Sequence, residues 1–176
     1  MEWQIILGHG TAGTAASMAP WVDGLRRHDF SARAIDLPRR RAEEAVPVFL
    51  AAIDDAPHVV LGGHSFGGRV ASLAAARWLA EGRSVGGLLL LSYPLHRPGR
   101  PDTWLERTAH WSALTCPVLL LSGEADPFAR LPLLHEAVSR LPNARLVTYP
   151  GVGHGLVPVL DEAVSVAVGF ISSLAH

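Results

Sequence analysis

His58-Val59-Val60-Leu61-Gly62-Gly63-His64-Ser65-Phe66-Gly67-Gly68-Arg69-Val70-Ala71-Ser72-Leu73 carries an apolar run through Gly-His-Ser-Phe-Gly into an Ala/Leu-rich stretch. The β-branched and leucine residues before Gly62 have strand character, and the run after Gly68 has helix character. Ser65 therefore falls at the apex of a strand-to-helix turn. Gly63 and Gly67 fit that geometry, because so tight a turn leaves no room for a β-carbon two residues before or two after the serine. The Ser65 hydroxyl is then expected to stand clear of the sheet edge. It lies over the first turn of the helix, where unpaired N–H groups and the positive end of the dipole favour a developing negative charge. This is a nucleophile elbow. In a chain with 17 glycines the pentad also arises from composition alone, so its surroundings decide its meaning.

A length of 176 residues predicts a single domain spanning 1–176, large enough for a proper core. With 49% hydrophobic and 18% charged residues the composition is globular. A net charge of −1 gives no electrostatic footprint for nucleic acid or an anionic membrane, so neither is expected as a partner. All 15 basic residues are arginine, which excludes Schiff-base chemistry, a Ser-Lys dyad and a Walker-type phosphate loop. The single cysteine, Cys116, has no internal disulfide partner and precedes an apolar run, where a small buried residue is the ordinary explanation. Met1-Glu2-Trp3-Gln4 has no basic segment ahead of a long apolar stretch, and no run reaches the ~20 apolar residues of a membrane span. A soluble cytoplasmic protein is expected.

Ile5-Ile6-Leu7, ended by Gly8-His9-Gly10-Thr11, reads as a first strand buried on both faces. A helix from Thr14 to about Arg27 and a weaker strand, Ala34–Leu37, follow. Arg39-Arg40-Arg41 then lies at a strand end, where a solvated surface and an anion contact are both open. A helix from about Glu44 to Asp54 leads to the elbow unit. Beyond it come a strand over Val85–Ser92, a Pro-rich loop over Tyr93–Pro101 and a helical piece over Trp104–Trp111. A strand over Pro117–Ser122, a helix over Leu131–Arg140, a strand over Arg145–Tyr149 and a closing helix over Val157–Leu174 complete the chain. Six strands alternating with helices predict an α/β fold, an open parallel sheet with helices on both faces. Function in such sheets gathers at the carboxyl ends of the strands, where His9, Ser65, His96, Asp126 and His154 fall.

Serine needs a base to activate it and a third group to hold that base in the right tautomer. Ser122-Gly123-Glu124-Ala125-Asp126-Pro127 and Pro150-Gly151-Val152-Gly153-His154-Gly155 supply an acid after one strand and a glycine-flanked histidine after the next. The order Ser65, Asp126, His154 is that of a serine triad on an α/β sheet. Glu124 is the competing acid. His64 is expected to point away from Ser65 into packing, and His135 to lie on a helix face. The oxyanion donors expected are the N–H groups of Phe66 and Thr11. His9, His96 and Trp104 are candidate substrate contacts, and no metal ligand set, dinucleotide loop or other cofactor site is present.

With these residues placed, the sequence resembles the α/β-hydrolase superfamily over nearly its whole length. In Gly62–Ala71, Tyr93–Pro101 and Ser122–Phe128 it resembles more closely still the branch containing testis-expressed protein 30, the regulatory subunit 3 of the NSL complex and small dienelactone-hydrolase-like proteins. The resemblance implies Ser65, Asp126 and His154 as triad. It also implies loss of the superfamily's first two strands, a parallel strand order 4-3-5-6-7-8 in superfamily numbering, and no cap domain between Ser92 and Pro117. An open, shallow pocket then follows, with Trp104, Trp111, Phe66 and Phe128 as candidate lining. The function expected is a serine hydrolase, carboxylesterase- or thioesterase-like, whose partner is a small ester or thioester. The alternative is a non-catalytic binding or scaffold protein on the same fold.

Overall fold

The computed structural model describes residues 3–54 and 58–175, so Met1 and Glu2 of the N-terminal stretch lie outside the described residues. The strands are β1 (Gln4–Gly8), β2 (Ser31–Ile35), β3 (Val59–His64), β4 (Gly87–Leu91), β5 (Val118–Gly123) and β6 (Ala144–Tyr149). The helices are α1 (Ala19–Arg26), α2 (Ala42–Ala51), α3 (Phe66–Ala80), α4 (Trp104–Arg107), α5 (Leu131–Val138) and α6 (Leu160–Ser173). All neighbouring strands are parallel and the sheet order is β2-β1-β3-β4-β5-β6.

The uninterrupted apolar runs have a direct physical cause. In β4, Leu88 and Leu90 enter a core layer shared with α2, α3 and α5, while Leu89 and Leu91 enter a second layer built with α1 and α6. Successive side chains of a strand point to opposite faces, so a strand covered on both sides must be apolar throughout. The chain runs from β1 outward to β2, then returns across β1 to β3. That reversal opens a crevice at the carboxyl ends of β1 and β3, the place where such sheets bind ligands.

Several boundaries differ from expectation. The second strand lies at Ser31–Ile35 rather than Ala34–Leu37, because pairing with β1 sets the register Gln4↔Ser31 to Gly8↔Ile35. Leu37 lies beyond it, its N–H donating to His9. The first helix opens with a 3-10 turn, Ala15–Met18, before α1, and the closing one with a 3-10 turn, Val157–Val159, before α6. The second helix begins at Ala42 and holds Pro47 in its interior, on an exposed position. The piece after Trp104 divides into α4 and a 3-10 turn, Ala109–Ala113. Residues 92–117 form only a loop and these short helices, with no cap domain. Among the described residues no helix is long and apolar enough to cross a membrane.

Candidate active site

Ser65 joins β3 directly to α3 with φ 50° and ψ −116°, a conformation costly for a residue with a β-carbon. Its N–H donates to Leu91 O at 2.9 Å, and its carbonyl accepts from Arg69 at 3.1 Å, so the turn is held by the neighbouring strand and by its own helix. The end of β1 presses into this turn. A β-carbon on Gly67 would lie 2.2 Å from the backbone of Gly8, and one on Gly63 would lie 2.4 Å from Gly8 O. The two glycines thus let three backbone segments converge beneath one strained serine.

The Ser65 Oγ lies 2.7 Å from His154 Nε2, and His154 Nδ1 lies 2.8 Å from Asp126 Oδ2. Asp126 is fully buried at its side chain, and its Oδ1 accepts from the Phe128 N–H at 2.8 Å. A carboxylate held on both oxygens fixes which ring nitrogen of His154 carries the proton and leaves Nε2 to accept from Ser65. Glu124, the competing acid, is turned elsewhere and accepts from Thr148 Oγ1 at 2.8 Å. The loop bearing His154 is fastened on two sides. On one, Ala125 N–H donates to Val152 O at 2.9 Å, a close approach that Gly123 permits. On the other, His64 Nε2–H donates to the His154 carbonyl at 3.1 Å. Burial keeps the His64 imidazole below its ordinary pKa against the opposing pull of that hydrogen bond. His64 therefore ties the nucleophile strand to the histidine loop, a role that its sequence position alone did not suggest. The Phe128 ring covers His154, with centroids 4.3 Å apart.

A cavity of about 250 Å³ opens on Ser65, Phe66, Thr11 and Phe128. Neither Phe66 nor Thr11 gives its N–H to a backbone acceptor among the described loops and turns. The structure does not bring His9, His96 and Trp104 there. His9 is buried, with Nδ1–H donating to Gly10 O at 2.7 Å and Nε2 accepting from Leu37 N–H at 2.9 Å. His96 repeats the pattern between Arg97 O and the Arg130 N–H, at 2.9 and 3.0 Å. Both rings have spent their polar atoms on shaping loops. Trp104 is a core residue whose exposed edge faces a separate groove beside Pro132, and Arg140 stacks on its ring. Trp111 is likewise core, edge-on to Tyr93. The cavity also draws in residues that sequence reasoning missed, Arg69 and Arg107, together with Arg40 and Arg41 of the arginine run.

A second serine–histidine contact lies outside the cavity. Ser72 Oγ–H donates to Arg69 O at 2.8 Å and receives His110 Nε2–H at 2.8 Å, with burial lowering the His110 pKa to about 4. Ser72 is wholly buried within α3, so this pair joins α3 to the turn at Ala109–Ala113.

The family model described as an alpha/beta hydrolase domain matches residues 26–167. Among solved structures, the monoacylglycerol lipase of Paleococcus ferrophilus superposes with a TM-score of 0.82 at 16% identity, covering 97% of this chain and 94% of that one. Est1E from Butyrivibrio proteoclasticus, bound to ferulic acid, gives 0.75 at 18% identity, covering 98% and 90%. Esterase 2 of Thermogutta terrifontis, phosphonylated by sarin, gives 0.76 at 15% identity, covering 98% and 84%.

Proposed function

Taking as premise that the chain belongs to the α/β-hydrolase family, we propose that it is a serine hydrolase cleaving small carboxylic esters or thioesters through an acyl-enzyme. One observation carries this reading: the unbroken chain from Ser65 Oγ to His154 Nε2, 2.7 Å, and from His154 Nδ1 to Asp126 Oδ2, 2.8 Å, at a serine held in a strained turn. Ser65 Oγ attacks the carbonyl carbon while His154 Nε2 takes its proton, and Asp126 stabilises the imidazolium. The carbonyl oxygen becomes an oxyanion received by the N–H groups of Phe66 and Thr11. Collapse of the tetrahedral intermediate expels the alcohol or thiol, which leaves with the proton from His154. Water, deprotonated by the same nitrogen, then attacks the acyl carbon and releases the acid and Ser65. Esterases and lipases among the structures of like fold support ester chemistry. The small cavity without a cap suits short acyl groups. We place the chain in the branch with testis-expressed protein 30 and its dienelactone-hydrolase-like relatives, on Gly62–Ala71 and Tyr93–Pro101, and in the cytoplasm, where its lone buried thiol stays reduced.

Fluorophosphonate labelling read by intact mass tests the reading. Wild type is expected to gain one adduct, and Ser65→Ala and His154→Ala none. Ester turnover by Ser65→Ala is expected to fall by about 10⁴ or more, with the fold retained. Undiminished hydrolysis in that variant, or a folded wild type that takes no adduct, refutes the assignment.

A further inference from the structure

We propose that the cavity at Ser65 selects substrates bearing an anionic group, carboxylate or phosphate, on the acyl chain or the leaving group; this rests on the hydrolase reading of Ser65. Four arginines line that one cavity: Arg40 and Arg41 from the loop after β2, Arg69 from the first turn of α3 and Arg107 from the end of α4. The chain as a whole has net charge −1, so this concentration is local. One of the four is ion-paired, Arg69, whose Nη2 lies 2.9 Å from Glu43, itself 58% exposed. Glu44 accepts from the Arg41 backbone N–H at 3.2 Å, and Glu106 beside Arg107 opposes the downward shift of that guanidinium. Arg40, Arg41 and Arg107 have no carboxylate within ion-pair distance among the described residues.

Two of the four are not simply solvated surface. Arg69 has only 18% of its side chain exposed, and its buried Nε–H has no acceptor among the described residues. Arg107 is partly buried and gives one N–H to Pro94 O at 3.0 Å, which leaves most of its fork unused. Burial first, then the positive charges of Arg69 and Arg97, pushes the Arg107 pKa down. Like charges held together in a partly desolvated pocket are a cost to the free protein, and an oxyanion with lone pairs matching the guanidinium forks offsets it.

Two pairs of esters test this, the first sharing its leaving group and the second its acyl group. In the first, the mono-4-nitrophenyl ester of adipic acid is compared with its methyl-capped analogue. In the second, 4-(butyryloxy)phenylacetic acid is compared with its methyl ester. In at least one pair the anion is expected to have the higher kcat/KM by about tenfold, the scale of one charge-assisted contact, and the ratio shrinks as salt rises. In the double variant Arg40→Gln/Arg41→Gln, both positions being exposed, the ratio is expected to fall below about threefold, and Arg107→Gln reduces it independently. A general folding defect lowers both members of a pair and leaves their ratio alone. Competitive inhibition of the neutral ester by adipate or by inorganic phosphate assigns the anion. Equal kcat/KM within both pairs, or a ratio unmoved in both arginine variants, overturns the proposal and leaves the hydrolase reading intact. Absence of all turnover together with absence of a fluorophosphonate adduct overturns both.

Discussion

Asp126 and Glu124 lie two residues apart in one loop, and burial and side-chain partners separate their roles, Asp126 being buried and Glu124 exposed. Asp126 holds His154 Nδ1 at 2.8 Å, while Glu124 is engaged with Thr148. Asp126→Asn keeps the shape of the site but offers an amide N–H to His154, which favours the wrong tautomer and leaves Nε2 protonated towards Ser65. On that basis kcat is expected to fall about 10⁴-fold with KM little changed, whereas Glu124→Gln stays near the wild-type rate. Steady-state kinetics on both, beside far-UV spectra, decides it, and equal losses in the two variants would put the acid in doubt. The same scale shows why His9 and His96 misled. Each sits among glycines or prolines at a strand end, as His154 does, yet each ring is bonded at both nitrogens to nearby backbone. Residue type and spacing announce a histidine at the sheet edge but not what its nitrogens meet.

At the scale of elements, the β3–Ser65–α3 unit was legible because its glycines serve a local steric need that spacing reveals. β2 was not. Its alternation is weak, Arg33 interrupts it, and its register comes from β1, a partner distant in sequence. Steric surroundings give opposite signs for one substitution at two helical glycines. In Gly67→Ala the new methyl would lie 2.2 Å from the Gly8 carbonyl, and because the obstacle is backbone it has nowhere to move. A loss of roughly 3 kcal/mol or more is expected, with the fluorophosphonate adduct lost as the elbow opens. Gly169, in α6, has nothing within 4 Å of the position a β-methyl would take, so Gly169→Ala is expected to add about 0.5–1 kcal/mol by helix propensity. Chemical denaturation of the two variants beside wild type measures both, and destabilisation of similar size at both positions would show that the contact with Gly8 is not what requires glycine.

For the whole molecule, the strand order implied by resemblance is the order observed, since apolar runs and short crossovers leave few ways to build a parallel sheet. The arginine-lined cavity was hidden for the complementary reason: Arg40, Arg69 and Arg107 come from separate segments and meet only once the sheet has brought α2, α3 and α4 together. The charge of Arg69 reaches His110, whose pKa is lowered to about 4 from an ordinary 6.5, by burial first and by Arg69 second. That shift makes global stability depend on pH. Above about pH 6.5 the imidazole is neutral in both folded and unfolded chains, and its contribution is constant. As pH falls towards 4 the unfolded chain binds a proton that the folded one refuses, so stability declines. Below about 4 both states are protonated and the loss, roughly 3 kcal/mol, is complete. His64, shifted in the same direction by burial, adds to the decline. His110→Gln removes the titration yet keeps an N–H for Ser72, so its denaturation midpoint is expected to fall less steeply than wild type between pH 7.5 and 4.5. If the two midpoints instead run parallel across that range, His110 is not neutral in the folded protein, and the buried Ser72–His110 link does not carry the pH dependence assigned to it.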